Sequence, residues 1–386
     1  MLTWAALGLG AVAILVTALS LTRFKAWWVR ACDFPRVQAF LLALAAIAAL
    51  VATGRASDGP WGGFTIVLGA TALLQAGAIW RYTPLAPREV RRADGPDDRG
   101  RTLSLVECNV LESNRDAVRL VRVVREADAD VMLFVETDQW WADRLDAAFA
   151  ASHPHAIRCP IANTYGMLLY SRLPLEDPKL DFLLQEDIPS MQARVVLPDG
   201  HRVWLNGVHP RPPAPGEADE SLERDAELLL VGRRVADSAI PVVVCGDLND
   251  VAWSHTTRLF QKTSRLLDPR KGRGFINSFH ARIPVLRWPL DHFFHSDHFH
   301  LVKMCRLPYT GSDHFPVQVI LRIERGAAEE QEAPQADAAD REEAREVIAE
   351  ARAEVQTVTP RTQAAAQAPP RGDEYGADDA GDERGR

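Results

Sequence analysis

Charge is what the first eighty residues lack. Only two acids, Asp33 and Asp58, occur before residue 84, and residues 4–22 carry no charged side chain. No basic cluster precedes that first apolar run and two further runs follow it, which argues against a cleaved secretory leader. Cysteine is scarce: five in 386 residues, at positions 32, 108, 159, 245 and 305. An odd number at irregular spacing excludes a disulfide framework, matches no zinc-ligand spacing, and favours a reducing compartment for the middle of the chain. A basic excess is missing too. Residues 101–323 hold 26 Lys and Arg against 29 Asp and Glu, so there is no electrostatic case for a nucleic-acid binder. The net charge of −8 comes in large part from residues 324–386.

What is present divides the chain in four. Residues 1–83 form a membrane region. Its apolar spans at about 4–22, 37–54 and 61–80 are each long enough to cross a bilayer as a helix. Trp27, Trp28, Trp61 and Trp80 fall at span ends, as interfacial aromatics do. The first loop carries Arg23, Lys25, Arg30 and Arg36, the second only Arg55, and Arg81, Arg88, Arg91 and Arg92 follow the third span. The positive-inside rule then predicts a multi-pass protein of the inner (cell) membrane, with its N-terminus outside and everything after residue 81 in the cytoplasm. Residues 84–100 read as a polar linker, residues 101–323 as a folded unit, and residues 324–386 as an acidic, mostly disordered tail. Within the tail, residues 340–355 have helical spacing of Glu and Arg, and residues 360–386 are disordered by composition.

The folded unit alternates strands and helices. Strands are expected at 102–110, 131–135, 165–170, 193–197, 203–208, 242–245, 290–295 and 315–323, and helices at 115–127, 140–149 and 221–238. Many strands with few helices suit an α+β layered sandwich rather than a doubly wound sheet. The stretch VVVCGDLND at 242–250 is the centre of this pattern. A run of β-branched residues buried on both faces stops in glycine and hands over to a carboxylate, an amide and a carboxylate. Asp247 and Asn249 point the same way if strand geometry persists; an Asx-rich turn is the structural alternative.

Other strands end in polar residues in the same sense: Asn109, Glu136 and His209 at carboxyl ends, Asp291 and the Ser312–Asp313–His314 run at amino ends. Such repetition suggests a shared rim that serves as a site. Each residue also has an ordinary reading: Asn109 as a cap, Glu136 as a surface carboxylate, His209 as a loop residue before proline.

The segments CNVL (108–111), FVET (134–137), GMLLYSRLPL (166–175), NGVHP (206–210), GDLND (246–250), LDHFF (290–294) and GSDHFP (311–316) stand in this order. In them the chain resembles the endonuclease/exonuclease/phosphatase (DNase I-like) superfamily, over about residues 101–323, in a membrane-anchored bacterial layout. The resemblance implies a four-layer α/β/β/α sandwich, here preceded by three transmembrane helices. It also implies a Mg²⁺-dependent phosphoesterase, with Mn²⁺ as a substitute ion, that cleaves a phosphodiester by in-line attack of water. It carries over Glu136 as the main metal ligand, Asn109 beside it and Asp313 as a secondary ligand. Asp247 would orient or deprotonate the water, and Asn249 would hold the phosphate. Asp291 would orient the imidazole of His314, and His314 and His209 would stabilise transition-state charge. The substrate the resemblance implies is a phosphodiester, either a nucleic acid or a lipid, the bilayer is the one other partner expected, and no protein partner is inferred. Two rivals follow from the same residues. The crowded His292, His295, His298 and His300 invite zinc, although their spacing fits no closed site. A catalytically silent membrane scaffold could keep the fold, but every expected polar position is filled. The basic stretch at 258–273 reads as a solvated face.

Overall fold

Strands form where β-branched and apolar residues run together, and amphipathic segments supply the helices that cover them. The computed structural model describes residues 1–95 and 98–366. Four helices come first: α1 (Leu2–Ser20), the short α2 (Trp27–Arg30), α3 (Arg36–Ala52) and α4 (Gly59–Ile79). The folded unit then runs β1 (Thr102–Asn109), α5 (Ala117–Ala127), β2 (Val131–Val135), α6 (Gln139–Phe149), β3 (His155–Cys159), β4 (Met167–Ser171), β5 (Leu175–Asp181), β6 (Ser190–Val196) and β7 (Arg202–Gly207). It continues with α7 (Leu222–Val235), β8 (Val242–Asp247), α8 (His255–Ser264), β9 (Asp291–His295), β10 (Phe299–Arg306) and β11 (Val317–Ile323). Two helices follow, α9 (Ala327–Glu330) and α10 (Ala338–Ala366).

The strands make two sheets, ordered β10-β11-β1-β2-β4-β3 and β5-β6-β7-β8-β9. Their inner faces meet in one core that includes Leu105, Leu133, Val135, Leu169, Leu205, Val243 and Val319. The outer face of the first sheet is covered by α5 and α6 through Leu120, Val124, Trp141 and Phe149. The outer face of the second is covered by α7 and α8 through Leu228, Val231 and Phe260. Four layers result. Each sheet contains one parallel pair, β1 with β2 and β7 with β8, and in each pair a helix makes the crossover. Antiparallel β11 then brings its amino end beside the carboxyl end of β1, with Val317 opposite Glu107. Antiparallel β9 likewise sets Asp291 opposite Asp247. The register thus gathers the polar ends of six strands at one rim.

Three transmembrane helices were expected. Two straight helices, α1 and the stretch Gly59–Tyr82, are long and apolar enough to cross a membrane. The segments Trp27–Asp33 and Arg36–Ala52 make a third span only when taken together across a 69° bend. The three long helices pack on small residues, Ala6, Ala13, Ala43, Ala46 and Ala72, which let backbones approach closely. Fully buried Gln75 donates to Thr17 at 2.7 Å, tying α4 to α1.

The polar segment after α4 is fixed in place, contrary to its reading as a linker. Val90 is buried, and the Glu89 carboxylate accepts from the backbone N–H of Asp268 at 2.7 Å and from Lys271 at 2.8 Å. The first loop is clamped as well: the Trp27 N–H donates to the Asp219 carbonyl, the Ser221 N–H to that of Lys25, and the Trp253 indole to that of Asp33. The expectation for residues 258–273 also needs correction. Arg270 and Lys271 are buried in ion pairs with Asp268 and Glu89 rather than solvated. The tail helix starts two residues earlier and runs eleven further than residues 340–355, so it takes in residues 360–366, which composition assigned to disorder. It docks on the body through Ala344, Ile348 and Ala351 against Leu222, Leu229 and Leu259. The rest of the expected disorder, residues 367–386, lies outside the described residues.

Candidate active site

Asn109 occupies the centre of the rim. It is buried at the end of β1, and its Nδ2 donates to Glu136 Oε1 at 2.7 Å and to Asp247 Oδ2 at 3.1 Å. One amide thus bridges a carboxylate from each sheet. Its Oδ1 accepts the Leu111 N–H, so the Asx-turn reading and the site reading hold together. Glu136 directly follows β2 with φ of +59°, a conformation that L side chains seldom adopt and that is found at functional positions. Burial pushes its carboxyl up to about 7, although the Asn109 amide pulls the other way.

His314 lies between two carboxylates. Its Nδ1 is 2.8 Å from Asp291 Oδ2, and its Nε2 is 3.5 Å from Asp247 Oδ2. Burial disfavours the imidazolium, but Asp291 and then Asp247 outweigh it and raise the pKa to about 10. At neutral pH the ring is charged and both nitrogens carry protons. Asp291 is held below the usual carboxylate range: burial opposes this, but the His314 charge and hydrogen bond prevail. Asp247 goes the other way, up to about 6, because burial outweighs the nearby His314 charge.

Glycine is required at 246. Its φ is +144°, and a Cβ there would lie 1.8 Å from the Val208 carbonyl oxygen. That close approach lets β8 end beside the residues after β7, where His209 is. His209 is buried against the Tyr165 ring at 5.5 Å, and its Nδ1 has no partner among the described residues. Burial, then the His314 charge, hold its pKa down at about 3, so the ring is neutral.

Asn249 departs from the sequence reasoning. Strand geometry ends at Asp247, and Asn249 has φ of +50°. Its N–H closes a turn on Asp247 Oδ1 at 2.9 Å, and its side chain donates to the Pro210 carbonyl at 3.0 Å. The amide therefore ties the β8 loop to the β7 loop rather than pointing along the strand with Asp247. Asp313 lies near enough for its charge to act on Glu136, but among the described residues its carboxylate hydrogen-bonds only with the Ser312 hydroxyl, at 3.4 Å.

One residue of the rim escaped the sequence reading. Glu107 is fully buried in β1 beside Asp291, and burial and then the Asp291 charge drive its pKa well up. Both its oxygens and Asp291 Oδ1 lack conventional donors among the described residues. A proton on Glu107 resolves both, since a carboxylic acid can donate to Asp291 Oδ1. The available signal was an acid inside an apolar run, LVEC.

A hard divalent cation suits this donor set. Among the described residues, Glu136, Asp247, Asp291 and Asp313 face one cation, His314, and no Lys or Arg pairs with Glu136, Asp247 or Asp313. Asp247, Asp291 and His314 offer ligand atoms within 4.8 Å of one another. Glu136, Asn109 and Asp313 bring further oxygens to the same rim, the atoms such an ion prefers. No cluster of the four crowded histidines is found among the described residues. His292 is locked between the Arg270 guanidinium and the Asp250 carbonyl, and His295 is held by the Ser296 carbonyl, which leaves the zinc rival without a site.

A family model described as Endonuclease/Exonuclease/phosphatase family matches residues 106–314. Solved structures with a similar fold include an endonuclease/exonuclease/phosphatase from Beutenbergia cavernae DSM 12333, 19% identical over 58% of this chain and 72% of that chain, with a TM-score of 0.47. D. rerio TDP2 complexed with a single-strand DNA product is 15% identical over 57% of this chain and 99% of that one, TM-score 0.48. The human Nocturnin catalytic domain with bound sulfate is 14% identical over 60% and 97%, TM-score 0.47. A comparison with curated proteins gives no match.

Proposed function

This chain belongs to the Endonuclease/Exonuclease/phosphatase family, whose members are metal-dependent phosphoric ester hydrolases, and from that premise we propose that it is a membrane-anchored, Mg²⁺-dependent phosphodiesterase. One observation carries the proposal: the Asp291–His314–Asp247 chain abuts the Asn109–Glu136 pair at a single rim. Glu136, with Asn109 and Asp313, would hold the ion, which when bound offsets negative charge on a substrate phosphate oxygen.

The chain's own residues supply the rest. Asp247 is ionised at neutral pH and fixed by Asn109 and the Asn249 N–H, so it can accept a proton from the attacking water. His314, steered by Asp291, presents a charged Nε2–H to developing phosphate charge. His209 adds a neutral donor, which binds an oxygen without competing with the cation. Asn249 sets the distance between the two loops.

The setting of the rim supports a phosphodiester presented at a bilayer surface. Phe279 lies 4.9 Å from the His314 ring, Trp288 stacks on Phe279, and Phe34 of the membrane region packs edge-on to Trp288 at 5.5 Å. The neighbouring loop exposes Ile283, Val285 and Leu286, and Gln38, near the start of α3, donates to the Val285 carbonyl at 2.7 Å. An apolar loop level with the first turn of a membrane helix is placed to touch lipid.

The test is a panel of nucleic acids, phosphodiester lipids and inositol phosphates, assayed on the full chain with Mg²⁺. Turnover of a membrane phosphodiester that falls about 10²-fold or more in Glu136→Gln and needs more Mg²⁺ is expected. Turnover indifferent to both the ion and Glu136 would sink the reading and favour the scaffold alternative.

A further inference from the structure

A large open cavity lies away from the catalytic rim. It encloses about 1150 Å³ where the ends of α1 and α4 meet the folded unit on its α8 side, and none of the eight rim residues named from sequence lines it. Two walls of opposite character form it. On the membrane side are Leu73, Leu74, Gly77 and Ala78 of α4, and Leu73 and Leu74 are 76% and 50% exposed. They lie on a helix long and apolar enough to span, so in a bilayer this wall would face acyl chains. On the other side are Arg23, Arg36, Arg81, Arg258, Lys262 and Lys271, against which the lining offers only the carboxylates of Glu89 and Glu332.

Arg36 pairs with Asp33 at 3.0 Å and Lys262 with Asp340 at 2.9 Å, but the other cations are less fully matched. Glu89 serves both Lys271, at 2.8 Å, and Arg81, at 3.3 Å, and the Arg81 side chain remains 64% exposed. Arg258 donates to the Trp253 carbonyl and has no carboxylate partner among the described residues. Arg23 reaches Glu343 at 3.1 Å with its own side chain 73% exposed. Leu73 and Arg81 are eight positions apart, about 12 Å along a helix, so one bound molecule can meet both the apolar wall and the cations.

We propose that this cavity is a regulatory or anchoring site for an anionic glycerophospholipid, bound with its phosphate against Arg81 and Arg258 and an acyl chain along Leu73 and Leu74. Basic pockets beside membrane helices hold anionic headgroups because the phosphate is attracted without leaving the interface and the tails stay in lipid. A soluble phosphate would satisfy the cations but leave the apolar wall unused. The site is separate from the chemistry and does not depend on the phosphodiesterase reading.

The test uses the full chain in a mild detergent and counts lipid retained per chain by native mass spectrometry. The probes are phosphatidylglycerol, phosphatidylcholine and, as a soluble anion, glycerol 3-phosphate. One phosphatidylglycerol per chain is expected, with phosphatidylcholine and glycerol 3-phosphate retained far less. Arg81→Gln, on an exposed side chain, and Arg258→Gln should each weaken retention about fivefold, the equivalent of ~1 kcal/mol per cation. Arg345→Gln, on the outer side of the tail helix, should leave it unchanged. Equal retention of the two lipids, or phosphatidylglycerol binding that survives both cavity substitutions, would overturn the proposal. Glycerol 3-phosphate binding as tightly as the lipid would replace it with a soluble-anion site.

Discussion

Polar strand-end residues such as Asp247, Asp291 and His314 ordinarily sit in solvent, where substitution costs little stability. These three are instead buried, at 1%, 1% and 4% exposure. His314→Ala should therefore lower turnover about 10²-fold or more and also lower the melting temperature, because Asp291 is left as a buried charge without its partner. Asp291→Asn should cost less turnover, since the imidazole remains. Melting curves beside initial rates separate the two effects, and an unchanged melting temperature for His314→Ala would show that the rim is wetter than its geometry. The buried histidines make a pH prediction of their own. Burial is the main cause that depresses His292 to about 3 and His295 to about 4. The unfolded chain takes up these protons near pH 6.5, while the folded chain does so only near 3 to 4. Between those values the unfolded state binds more protons, so this contribution is complete above pH 6.5 and is lost as pH falls through the window. Glu136 and Asp247, with raised pKa values, act in the opposite sense. The informative quantity is thus the difference between wild type and His295→Leu, whose stability should fall less steeply from pH 7 to pH 5 in denaturant titrations.

At the scale of elements, what the sequence disclosed follows burial. β2, β8 and β11 lie inside their sheets, and their runs VMLFV, VVVCGD and VQVILRI are apolar on both faces or nearly so. β3, β5 and β10 were missed, and each is the edge of a sheet. An edge strand has one unpaired side and a partly wet face, so its apolar alternation is diluted. β5 even carries Pro178, which only an edge tolerates easily. At the site, the residues with a motif were legible. The direction of Asn249 was not, because a single left-handed residue reverses what strand spacing implies. Glu107 was not, because its role comes from pairing across the two sheets. The docking of α10 also escaped, since its stripe of Ala344, Ile348 and Ala351 is short and mostly alanine. Ion pairs reinforce it, Lys262 with Asp340 and His255 with Glu343. Ile348→Ala should cost about 2 kcal/mol or more if the helix is docked as described. An unaltered denaturation midpoint would show that it is not.

At the scale of the whole molecule, the segments around the folded unit are part of its stability. Residues 101–323 read from the sequence as a folded unit. Yet Val90 and Glu89, the partner of Lys271, come from before that boundary, and Ile348 comes from after it. A fragment of residues 84–356 should therefore melt well above one of residues 101–323, by differential scanning calorimetry on both; equal melting would return the flanks to the status of tethers. The sheet order has one more consequence. β1 is made first but lies between β2 and β11, and Asn109 and Val317 are 317 − 109 = 208 residues apart. At synthesis rates of about 5–20 residues per second, roughly 10–40 s pass between them. The helices α1, α3 and α4 have all left the ribosome before β1 does, so the nascent chain waits with one edge of its central strand unzipped. Delivery of β11, not the formation of any motif, is the event that completes the enzyme, and a chaperone that shields that edge has a defined interval in which to act.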